Sequence, residues 1–127
     1  MTTFVLNIFY NNYTRLSACL SIANVEMLIF NTTFLVADTA LNAWHKWIPE
    51  EYIPFMLQFK PFSQPQVARV ITSHVQEGTS FSVQFHIRDM ETLNIWNDRF
   101  GKAFQENCTR QFGTEVIFFT TILELLT

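Results

Sequence analysis

The sequence predicts an α+β sandwich, a four-stranded antiparallel sheet carrying two helices on one face. Three observations predict it. Phe81, Val83, Phe85 and Ile87 alternate with Ser82, Gln84 and His86, the two-residue period of a strand with one buried face. Asp89 ends that alternation and is placed to cap a helix whose stripe is Leu93, Trp96, Phe100, Phe104 and Cys108. A second strand candidate, 66–74, lies just upstream across a Glu77-Gly78 turn.

The remaining elements follow in order. Leu28 to Ala37 reads as a strand, with Leu28, Phe30, Phe34 and Val36 at even positions. Asp38 is expected as an N-cap before a helix marked by Leu41, Trp44 and Ile48. Pro49 lacks the N–H of a continuing helix, so the helix should end or kink there, with a short further turn over 50–58. Two prolines in 60–65 predict a loop. Met90 to about Gln111 is the long helix, Gly113 its stop, and Val116 to Leu126 the last strand. The order βαββαβ is the ferredoxin-like plan, in which right-handed crossovers put both helices on the same side. The other sheet face stays open. Apolar groups on the last strand (Ile117, Phe119 and Leu123, or their even neighbours) would make that face an interface, most economically a sheet-to-sheet homodimer with a cleft between protomers.

The chain of 127 residues fits one domain over 27–127, and its 14 Phe suggest a core filled by large flat groups. Residues 1–26 match no clean template. They read as a loose extension, an added strand at 4–10, or residues upstream of a true start at Met27; the last is favoured. A formal charge of −3, with Lys and Arg scattered singly, argues against nucleic-acid binding. Cys19 and Cys108 form no disulfide framework, there is no uninterrupted apolar run of spanning length, and no secretion signal is recognisable, so a cytoplasmic protein without a membrane segment is expected.

The best site candidates are polar residues of the open face. If Glu77-Gly78 is a two-residue hairpin loop, Arg69 faces His86 and lies diagonal to Gln84, and Asn31 joins them when strand one neighbours strand three. A guanidinium, two amides and an imidazole could hold a small carboxylate or an oxidised ring. The competing reading is a polar dimer seam or wet sheet surface.

Other chemistries have little support. His74 and His86 would stand about 17 Å apart along the hairpin, too far to share an ion, and no metal site is expected. Cys108 falls on an apolar stripe, where a thiol is usually inert. Gly78, Gly101 and Gly113 make no phosphate loop, and no cofactor is expected. Trp44, Trp47 and Trp96 at helical spacing read as core.

Several stretches resemble a bacterial family, number 4286 of the domains of unknown function. They are Phe30-Asn31-Thr32-Thr33, Trp44-His45-Lys46-Trp47-Ile48, Ile53-Pro54, Ala68-Arg69-Val70, Ser82-Val83-Gln84-Phe85, Phe112-Gly113 and Phe119-Thr120-Thr121-Ile122-Leu123-Glu124, in order over about residues 27–127. The resemblance implies a fold similar to dimeric α+β barrels and brings no activity. This chain has Tyr52 where relatives often have His, Pro49 within the first helix, and Gln66 where Arg is common. Haem-degrading members of the barrel group pair a first-strand Asn with a Trp and a His on the second helix. Asn31 and Trp96 fit that set, but no His lies between Met90 and Phe112. The expected function is a homodimeric binding or interaction module without catalysis. The alternative is an enzyme working on a small molecule in the inter-sheet cleft through Asn31, Arg69, Gln84 and His86.

Overall fold

A computed structural model describes residues 27–73 and 77–126. The expectations for residues 1–26 and for His74 therefore lie outside the described residues. Four antiparallel strands form one sheet in the order β2-β3-β1-β4. They are β1 (Leu28–Val36), β2 (Ser63–Arg69), β3 (Thr79–Ile87) and β4 (Val116–Glu124). Helical segments cover one face. The first comprises a 3-10 turn (Asp38–Ala40), α1 (Leu41–Trp47), a π turn (Ile48–Tyr52) and α2 (Ile53–Leu57); the second is α3 (Met90–Phe112). This is the ferredoxin-like α+β sandwich that the element order predicted.

Alternation sorts each central strand. Leu28, Phe30, Thr32, Phe34 and Val36 of β1 are buried beneath the helices, as are Phe81, Val83, Phe85 and Ile87 of β3. Phe30 explains the abundance of phenylalanine: its ring meets the edges of Trp96 at 5.1 Å, Phe62 at 5.5 Å and Phe104 at 5.8 Å. Such pairs add to plain area burial because ring edges and faces carry opposite partial charge. Trp44 stacks on Phe81 at 4.4 Å and packs against Phe34, so the first helical segment is anchored over the sheet by aromatic contact.

Two of the three local expectations here need correction. Asp38 does not cap: it sits inside the first turn after Ala37, where its charge still complements the helix dipole. Pro49 acts as expected on the regular helix: α1 stops at Trp47, and the path continues through the π turn into the short α2. The π turn, closed by the Ile53 N–H on the Ile48 carbonyl, accommodates the missing donor by widening one turn. Trp44, Ile48, Tyr52 and Met56, spaced by four, are all buried. On a regular helix of 3.6 residues per turn that spacing would drift out of the core, and the wide turn absorbs the drift. Finally, β2 starts at Ser63 inside the expected loop. Pro65 is tolerated because β2 is an edge strand with a bulge between Ser63 and Gln66, where Gln64 takes φ 53°.

The hairpin is also longer than a two-residue loop. The Val70 N–H donates to the Ser80 carbonyl at 2.8 Å just past the end of β2 at Arg69, and β3 begins only at Thr79. Gly78 is required just before β3: φ is 88°, and a Cβ there would stand 2.4 Å from the Val36 carbonyl oxygen. Asp89 caps α3 as expected, accepting the Thr92 N–H at 2.8 Å, and Gly113 terminates it at φ 60°.

Candidate functional site

The uncovered sheet face holds the polar residues singled out by sequence, and strand register decides which of them meet. Asn31 pairs with Gln84 on β3 and with Thr121 on β4. The Ser82 hydroxyl donates to Asn31 Oδ1. Asn31 Nδ2 donates to Thr121 Oγ1 at 3.1 Å and is 3.4 Å from Thr33 Oγ1. Gln84 Nε2 donates to Ser82 Oγ at 3.3 Å. The Asn31 side chain is thereby fixed in orientation and is 9% exposed even on this open face.

His86 lies on the same face one same-side step beyond Gln84, opposite Ile29 of β1 and Ser63 of β2. Arg69 does not join them. It pairs with Phe81 rather than His86, five positions away along β3. An odd shift turns a strand over, so Arg69 projects to the helix-bearing side, at an exposed edge. The anion clamp inferred for this face loses its guanidinium.

What remains is hydrogen-bonding in the middle and apolar toward β4. Ile117 and Phe119 are each 48% exposed and Leu123 is 42% exposed, while their even neighbours Val116 and Phe118 are buried. Sequence reading passed over Ser82 and Thr121. Ser82 precedes Gln84 by two in a strand, so strict alternation already placed both on one face. Thr121 required the β1–β4 register.

The helix-bearing side has its own buried polar cluster. The Thr32 and Thr120 hydroxyls are 3.0 Å apart in the core, and the Tyr52 hydroxyl is buried beside Thr32. Burial pushes the Tyr52 phenol well above its ordinary value, the nearby Cys108 adds to this, and Thr32 opposes it. Burial likewise raises the Cys108 thiol far out of the thiolate range, so it offers no nucleophile. Among the described residues no three His, Cys, Asp or Glu side chains gather as a metal site, and no helix is long and apolar enough to cross a membrane.

Fold and face together define a ferredoxin-like α+β protein with one bare sheet surface. Residues 27–126 match the family model described as Domain of unknown function (DUF4286), and the chain belongs to that family. No curated protein matches it. Among solved structures it is similar to an ethyl tert-butyl ether d (EthD) family protein from Bacillus halodurans, with TM-score 0.59 and 15% identity over 78% of this chain and 99% of the other. A dimeric ferredoxin-like protein from an uncultured marine organism has TM-score 0.56 and 15% identity, over 80% and 96% of the two chains. A DABB family protein with a ferredoxin-like fold from Mesorhizobium loti has TM-score 0.53 and 14% identity, over 80% and 100%. These likenesses show the fold.

Proposed function

We propose that this protein is a homodimeric binding module, two copies packed through their open sheet faces around a cleft that admits a small neutral polar molecule. One observation carries the reading. Phe119, Ile117 and Leu123 stand exposed on the same face as the ordered Asn31–Ser82–Gln84 network. Apolar groups beside a locked polar centre are what a wet surface does not need and a self-complementary seam does. A structural neighbour described as a dimeric ferredoxin-like protein adds support. The donors and acceptors left free, chiefly the Gln84 amide oxygen and the His86 ring, would face the cleft. The buried free thiol of Cys108 fits a reducing compartment such as the cytoplasm.

An enzymatic version of the same cleft is favoured by one feature, an imidazole at His86 on the same sheet face as Gln84 and Asn31. Sedimentation velocity tests the main reading. The wild-type chain should sediment as a dimer and Phe119→Asp as a folded monomer, because a carboxylate in the seam would lose its water without a partner. A wild-type chain that stays monomeric at high concentration overturns it.

A further inference from the structure

The helical side of the molecule carries a concavity, away from the open sheet face. It lies between the first helical segment and α3 and has a volume of about 380 Å³, toward the small end of the range for small-molecule sites. Its floor is aromatic: Trp47 and Tyr52 lie 5.2 Å apart, and Phe104 is 6.1 Å from Tyr52. Each wall brings one charge to the rim. Glu51 comes from the π turn and Arg110 from the last turn of α3.

These two charges do not satisfy each other. Among the described residues Glu51 makes no ion pair, and Arg110 has only Glu106 of its own helix, at 3.9 Å. An exposed pair at that distance within one helix is weak and leaves the guanidinium fork open to a better acceptor. We propose that this crevice binds a small zwitterion with a flat apolar body, the chemistry of an aromatic amino acid, with its carboxylate on Arg110, its ammonium on Glu51 and its ring on the aromatic floor. A ligand that was only anionic would sit beside Glu51 unscreened, and one that was only cationic would sit beside Arg110. Both signs together complement the site.

The test is isothermal titration calorimetry of the full chain with L-phenylalanine and L-tryptophan. Phenylpropionate, which lacks the ammonium, and phenethylamine, which lacks the carboxylate, serve as controls. The amino acids should bind saturably and more tightly than either control. Arg110→Gln and Glu51→Gln should each weaken binding about tenfold, the effect of losing one charge-assisted contact. Both side chains are exposed, so the fold should persist, checked by circular dichroism. Phe119→Asp should leave this binding unchanged whatever it does to the dimer, which separates the two sites. No saturable heat up to about 10 mM, controls that bind as well as the amino acids, or affinity indifferent to both substitutions would each overturn the proposal.

Discussion

The hydroxyl of Ser82 on β3 donates a hydrogen bond to the carboxamide oxygen of Asn31 on β1, and the nitrogen of the same carboxamide donates one to Thr121 on β4. One side chain thus ties three strands on a face that no helix covers. Asn31→Ala should cost about 1–2 kcal/mol in urea unfolding, since it removes these bonds from a nearly buried site. Ser82→Ala should cost less, and the double variant less than the sum, because both report the same contact. Additive losses would mean that the network is not coupled.

Gly78 offers a sharper measurement. Its positive φ and the Val36 carbonyl oxygen, 2.4 Å from where a Cβ would lie, both act against any side chain. Gly78→Ala should therefore destabilise the fold by about 1–3 kcal/mol, seen as a lowered melting temperature. An unchanged transition would show that the β2–β3 connection gives way freely.

Much of this architecture was legible because strands and helices sort their own residues. Alternation in Phe81–Ile87 and the stripe from Leu93 to Cys108 needed no knowledge of neighbours, and both faces came out as expected. Register was a different matter. The side of β2 on which Arg69 emerges depends on where the hairpin turns, and Glu77-Gly78 has the composition of a tight turn without acting as one. Asn31 and Gln84 met because they lie on the two strands whose pairing the fold itself dictates. Pro49 showed only half of its effect in the sequence: its veto on α-helical bonding ended α1, while the wide turn that carries the path on is rewarded by the burial of Tyr52 and Met56.

Cys108 supplies a probe of global opening. Burial keeps the thiol protonated, at the inner wall of the crevice between the helical segments. In a chain begun at Met27, which lacks Cys19, it is the sole cysteine. That shortened chain should unfold as cooperatively as the full one, and its thiol should react with an aromatic disulfide reagent far more slowly than in urea. Rapid labelling under native conditions, or an insoluble product, would place residues 1–26 in the folding unit.

Asp89 gives a prediction with a sign in pH. Burial raises its carboxyl, but the Thr92 bonds and the adjacent Arg88 outweigh this and hold it below the ordinary carboxylate value. A carboxylate whose folded value is depressed contributes stability that is fully present above its unfolded value and is lost as pH falls through the folded one. Asp89→Ala should then cost about 1 kcal/mol at neutral pH, the usual worth of an N-cap. The charge on Arg88 adds little, because that side chain is mostly exposed. The deficit should stay constant above about pH 5 and shrink in more acid solution, where protonation weakens the wild-type cap as well. Paired denaturant titrations across that range measure it, and a deficit that grows toward low pH would contradict the capping role of this carboxylate.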